Sequence, residues 1–129
     1  MTSRAKIFRK NEQKAIELVS SIIHADEAIL NKGVFDWLRG GDKGDGVKLR
    51  VDAYFPKQKL VVEYNGKQHY ESNALMDRRP GRAKQRREYA KRRKYLIPKH
   101  GLKLLEIKYD EPLTKENLER LLKNIGIIE

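Results

Sequence analysis

Two carboxylates sit where carboxylates are costly. Asp52 and Glu63 lie inside VKLRVDAYF (47–55) and LVVEYN (60–65), two short apolar runs joined by a turn over 56–59. Charged side chains are depleted in strands and expensive to bury without partners. If Phe55 and Leu60 flank the turn as a pair, counting outward sets Ala53 opposite Val62 and Asp52 opposite Glu63. Directly opposed side chains have Cβ atoms about 5 Å apart, and like charges there repel. A one-residue slip would drive Glu63 onto the apolar face, so the alternation protects this register. The arrangement has bland explanations: an exposed face, neutralisation by Arg50 or Lys67, or a different register. It also has a chemical one. A hard cation such as Mg²⁺ is held by one or two carboxylates completed by waters and phosphate oxygens, which turns a repulsive pair into a ligand set.

Composition bears on that choice. The chain carries a net charge of +11 in 129 residues, and from Arg78 to Lys94 there are ten Lys or Arg residues against one acid, Glu88. Such an excess favours a polyanionic partner, whether DNA, RNA or an anionic membrane surface. A basic run by itself also describes a solvated helix face. Paired acids in a basic chain point instead to metal-assisted phosphodiester chemistry, in which the cation activates water and stabilises phosphoryl charge. The absence of cysteine excludes disulfides and thiolate metal sites and fits an intracellular, cytoplasmic protein. No apolar run is long enough to span a membrane, and MTSRAKIFRK lacks the apolar stretch of a signal peptide.

The elements that must position the acids follow from periodicity. The length predicts one domain over 1–129. Ile16, Val19 and Ile23, supported by Leu18 and Ile22, predict a helix over 10–30 with Asn11 as its cap and Gly33 closing the region. VFDWL (34–38) reads as a short strand with Trp37 in the core, and GGDKGDG (40–46) as a connecting loop. Val47, Leu49, Val51, Ala53 and Phe55 alternate onto one face of the next strand, and 60–65 forms its return. A polar connection over 66–81 leads to a basic helix over 82–97. That helix has a thin stripe of Ala83, Ala90 and Ile97 with Tyr89 and Leu96, and stops before Pro98, with Gly101 finishing the turn. LKLLEIKY (102–109) predicts a fourth strand. Thr114 caps a last helix over 114–126 with Leu118, Leu121, Leu122 and Ile125 on its apolar side. The order α-β-β-β-α-β-α predicts an α/β domain, a central mixed sheet flanked by helices.

That order, together with VDAYFPKQKLVVEYNGKQHY (51–70), resembles the PD-(D/E)XK nuclease superfamily with its restriction-endonuclease-like αβββαβ core. The branch it looks most like holds very short patch repair endonucleases and related phage and homing nucleases. There, an acid on one strand is followed by E-x-(D/N)-G and then a histidine. The resemblance covers residues 10–110, with its specific part confined to 51–69 and the helix over 114–126 added beyond it. It implies a Mg²⁺-dependent endonuclease that hydrolyses DNA phosphodiesters, with Mn²⁺ substituting. On that resemblance Asp52 and Glu63 ligate the metal, Glu63 helps polarise the attacking water, and the Tyr64 carbonyl supplies a further oxygen. The first helix of the superfamily often adds a glutamate. Glu12 fits best, since Ala15, Ile16 and Val19 follow it at offsets of three, four and seven, and Glu17 is the alternative. Val51 takes the place of the motif's proline, and Asn65 stands where the E-x-K lysine belongs. Gln68, Lys67 and His69 are the candidates for the third catalytic role, with Gln68 preferred over Lys67. Glu106-Ile107-Lys108 spells E-x-K literally. On this reading it lacks an opposing acid and is set aside as an exposed face of the last strand.

Arg78, Arg79, Arg82, Lys84, Arg86, Arg87, Lys91, Arg92 and Arg93 would track the phosphates of double-stranded DNA, positioning it without reading sequence. The alternative is a non-catalytic nucleic-acid-binding module that keeps the nuclease fold, for which the missing lysine is the best argument. Against it stands the opposed acid pair, which a binding-only protein has no reason to hold near phosphates. One site per chain fits a homodimer cutting both strands, or a nicking monomer.

Overall fold

Ala15, Ile16 and Val19 share one side of a helix and are buried there. In the computed structural model, which describes residues 4–65 and 81–129, this helix, α1, runs over Arg4–Ile22. It begins and ends earlier than its periodicity predicts, so Asn11 lies inside it and is not its cap. The chain turns away at His24, which has a φ of 53°, and Ile29 and Leu30 open a strand, β1 (Ile29–Gly33). β1 pairs antiparallel with β2 (Arg50–Phe55), Ile29 opposite Tyr54 and Leu30 opposite Ala53. An available ladder on β2 outcompetes the weak helical pattern of 23–30, because strand preference is decided by neighbours and not by the segment alone.

The segment 34–38 is a turn and not the expected strand. Two of its side chains are nonetheless core: Phe35 and Leu38 are buried. Trp37 stacks on Phe35 at 4.5 Å and on His100 at 4.0 Å between ring centroids. A bridge between Arg39 and Lys48 closes the glycine loop. There the Gly46 N–H donates to the Gly40 carbonyl at 2.9 Å, and a Cβ on Gly46 would stand 2.9 Å from that same oxygen. Val47, expected on the strand's apolar face, is 81% exposed at the foot of this loop.

β3 (Leu60–Asn65) returns antiparallel to β2 and pairs parallel with β4 (Lys103–Lys108), giving a mixed four-stranded sheet in the order β1-β2-β3-β4. α2 (Arg82–Lys99) is the crossover helix. Pro98 sits within its last turn and does not stop it, and the left-handed Gly101 (φ 81°) follows with its N–H on the Pro98 carbonyl at 3.0 Å. α3 (Lys115–Asn124) is capped as expected, Thr114 Oγ1 accepting from the Asn117 N–H at 3.2 Å.

The helices cover both faces of the sheet. α1 and α3, through Val19, Leu118 and Leu122, pack on Ala53, Phe55, Leu60, Val62, Leu105 and Ile107. α2 and the 34–38 turn, through Ile97, Phe35 and Leu38, pack on Leu49, Val51 and Val61. The expected single face of β2 is therefore divided: Leu49 and Val51 go to one core, Ala53 and Phe55 to the other. The change of side falls at Asp52. Among the described residues no helix is long and apolar enough to cross a membrane.

Candidate metal centre

The hairpin pairs Phe55 with Leu60, Tyr54 with Val61 and Ala53 with Val62, the register that counting from the turn gives. The ladder then stops, one step before Asp52 and Glu63. On the other side, the β1 ladder passes from Leu30–Ala53 to Lys32–Val51 without pairing Asn31 to Asp52, and Asn31 has a left-handed φ of 48°. Asp52 thus sits where regular pairing lapses on both flanks. Its carboxylate replaces the missing acceptor: Oδ2 takes the Tyr64 N–H at 2.7 Å. A strand interior that would otherwise aim its side chains outward instead holds a carboxylate between neighbours.

Two further acids meet Asp52 there. Glu12, from the buried side of α1, is only 8% exposed. Its carboxyl is pushed up from 4.5 to about 7, first by burial, then by the Asp52 charge and a hydrogen bond shared with Asp52. Glu63 is held well above the usual carboxylate range by burial and then by Asp52, with Arg93 and the Asp52 main-chain N–H pulling the other way. Its Oε1 is enclosed and accepts no hydrogen bond. Arg93 Nε lies 3.4 Å from it but donates to the Arg50 carbonyl at 3.0 Å. Tyr64, whose carbonyl the resemblance adds to the ligands, is buried beside Asn11 and Glu12, and burial raises its phenol. Glu17 is exposed and takes a hydrogen bond from Gln13 at 3.2 Å, away from this group.

Among the described residues, no three His, Cys, Asp or Glu side chains close on one metal position; Asp52 meets Glu12 and Glu63 as separate neighbours. The donor set nonetheless fits a hard divalent cation. Asp52 and Glu63 both offer carboxylate oxygens, two carboxylates suffice for Mg²⁺, and Glu63 Oε1 is a buried acceptor lacking a donor, a state that costs about 1–3 kcal/mol.

The structure also brings in Glu106. In the parallel register of β3 and β4 it stands opposite Glu63. Both line a small pocket with Asn65, Ala90, Arg93 and Leu104. This corrects the reading that Glu106 lacks an opposing acid. A parallel pairing made through a long crossover leaves no local signal comparable to a hairpin turn. Asn65, at the position of the motif's lysine, donates its Nδ2 to Glu106 Oε2 at 3.1 Å.

The basic residues of α2 divide by role. Arg82, Lys84, Arg87 and Lys91 are exposed, and Arg86 is half-buried. Arg92 donates Nη1 to the Arg39 carbonyl at 3.0 Å and covers the Tyr89 ring, while Tyr89 Oη accepts the Gly41 N–H at 2.9 Å. These bonds dock the glycine loop on the helix, an anchorage that neither segment signals alone. Lys67, Gln68, His69, Arg78 and Arg79 lie outside the described residues.

No family model and no solved structure matches the chain. It is similar to two proteins of invertebrate iridescent viruses. Uncharacterized protein 033L of Invertebrate iridescent virus 3 is 38% identical over 87 residues, which are 64% of this chain and 44% of that protein. Uncharacterized protein 307L of Invertebrate iridescent virus 6 is 32% identical over 128 residues, 95% of this chain. The chain spans 44% and 64% of the length of these two relatives.

Proposed function

We propose that this protein is a metal-dependent endonuclease of the PD-(D/E)XK type, cutting phosphodiester bonds in double-stranded DNA at Asp52 and Glu63. The observation that carries the reading is the gathering of Glu12, Asp52 and Glu63, with an enclosed, donor-less oxygen on Glu63, beneath a strongly basic helix. Burial and like-charge pairs that raise a carboxyl's proton affinity are how active sites tune their acids. The element order from α1 to β4 is also that of a restriction-endonuclease-like core.

In this reading Asp52 and Glu63 hold Mg²⁺ or Mn²⁺, with Glu12 behind Asp52 and the Tyr64 carbonyl as a further oxygen. The cation, when bound, polarises a phosphoryl oxygen and supplies a nucleophilic water. The Tyr64 N–H fixes one Asp52 oxygen, and a bound cation would replace the hydrogen bonds that Asp52 shares with Glu12 and Glu63. Glu63 orients the water. Gln68, Lys67 or His69 assists, and the exposed cations of α2 hold the DNA backbone. A cytoplasmic protein with access to DNA is the setting this requires, and a homodimer would supply a second site for the opposite strand.

Asn65 favours the second reading, a nucleic-acid-binding module without turnover. Its amide is spent on Glu106 where the motif's lysine would act. The deciding experiment is cleavage of supercoiled plasmid with Mg²⁺, Mn²⁺ or EDTA, with Asp52→Ala and Glu63→Ala beside wild type. Metal-dependent nicking or linearisation that both substitutions abolish, with DNA binding retained, is the expected result. Salt-sensitive binding without cleavage, and without Mn²⁺ uptake at Asp52, would establish the binding module instead.

A further inference from the structure

Arg93 differs from the other cations of its helix. Ala90 and Ile97, one turn to either side of it, place it on the face of α2 that meets the sheet, and its side chain is 21% exposed. One donor, Nε, is fixed on the carbonyl of Arg50, two residues before Asp52. That leaves the guanidinium 3.4 Å from Glu63 Oε1 in a geometry that gives charge but no hydrogen bond, and Oε1 stays unsatisfied. Among the described residues, the two Nη groups of Arg93 make no hydrogen bond. Arg92 next to it, by contrast, has spent Nη1 on the Arg39 carbonyl. A guanidinium presents five donors in a fixed fork suited to phosphate, and most of this one is unused.

Charge completes the argument. A divalent cation held at Asp52 and Glu63 would set positive charge beside the Arg93 guanidinium, 3.4 Å from Glu63 Oε1, and like charges repel, which favours passing the guanidinium to an anion such as a phosphodiester. We propose that Arg93 is the resident counter-cation of Glu63 and exchanges that place for a DNA phosphate once a divalent cation is held at Asp52 and Glu63, so that metal and DNA binding reinforce each other through this side chain. The inference rests on the function proposed above. It makes Arg93 the residue that contacts the phosphate beside the metal, with the exposed cations of the helix holding the flanking backbone.

The test uses Mn²⁺ alone and a short duplex alone before combining them. Calorimetric titration without DNA should show Arg93→Gln binding Mn²⁺ about tenfold tighter than wild type, because a competing positive charge is gone. Fluorescence anisotropy should show Mn²⁺ tightening duplex binding by about fivefold or more in wild type, a gain that Arg93→Gln loses. Unchanged or weaker Mn²⁺ affinity in a folded Arg93→Gln protein would overturn the proposal and make Arg93 a static brace. Should that variant fail to fold, the wild-type Arg93 Nε–H resonance decides. It should move when Mg²⁺ and duplex are added, and a signal unmoved by both together would equally overturn the exchange. Wild type that takes up no Mn²⁺ dependent on Asp52 removes the metal site itself, and this inference with it. Normal, Asp52-dependent uptake that Arg93→Gln leaves unaltered removes only the exchange.

Discussion

At the residue scale the site is a conflict held in place by its surroundings. Glu12 is buried against Asp52, and its carboxyl titrates near 7 instead of 4.5. The sign of the consequence follows from proton linkage. Between those two values the folded protein binds more protons than the unfolded chain, so unfolding free energy falls as pH rises through that window. The Glu63 shift acts in the same direction. Metal-free protein in EDTA should therefore lose stability towards urea between about pH 5 and pH 7, and Glu12→Gln should flatten that decline. If the two proteins show parallel profiles, Glu12 does not carry the proton. Saturating Mn²⁺ should restore stability chiefly at the upper end of the range, where the acids are ionised and a cation has most to relieve.

At the scale of elements, the glycine loop and the basic helix act as one piece. Tyr89 Oη accepts the Gly41 N–H, and Arg92 reaches the Arg39 carbonyl. Tyr89→Phe removes one such bond and keeps the ring beneath Arg92. It should cost about 1 kcal/mol and show as faster hydrogen exchange at the Gly41 amide; unchanged exchange would mean that Arg92 alone docks the loop. This pairing of distant segments also shows what was readable in the chain. β2, β3 and their register follow from an alternating pattern interrupted by Pro56, and α3 from Thr114 and its leucines, because those signals are local. β1 was hidden, since Ile29 and Leu30 become a strand only when Tyr54 and Ala53 are there to pair with. The 34–38 segment carries strand-like residues but buries Phe35 and Leu38 from a turn. The meeting of Asp52 and Glu63 could be counted from the turn, yet the lapse in pairing that frees the Asp52 carboxylate could not. Glu106 was misread for a related reason: its neighbour Glu63 is set by a parallel register after a crossover.

At the scale of the whole molecule, a charge of +11 must be reconciled with a centre where acids are gathered. The two are separated by α2. Its inner face supplies Arg93 to Glu63, while Lys84, Arg87, Lys91 and Lys94 recur at three- and four-residue steps on its exposed side, the spacing of one continuous stripe. Among the described residues none of these four forms an ion pair, so their charge is available to a polyanion. Duplex affinity should then fall steeply with salt, with a log–log slope of about −0.9 for each phosphate neutralised. Replacing Lys84, Arg87 and Lys91 together by Gln should make the slope shallower by about 2–3, while Asp52→Ala, which removes an acid, should leave it unchanged or steepen it. The triple variant should keep its thermal stability, because none of the three side chains holds the fold. Arg92→Gln should lose stability as well as affinity, since Arg92 ties helix to loop. A slope that survives loss of all three exposed cations would move the DNA to another surface. It would also detach the basic helix from the metal centre, because the stripe would then be no more than a solvated face.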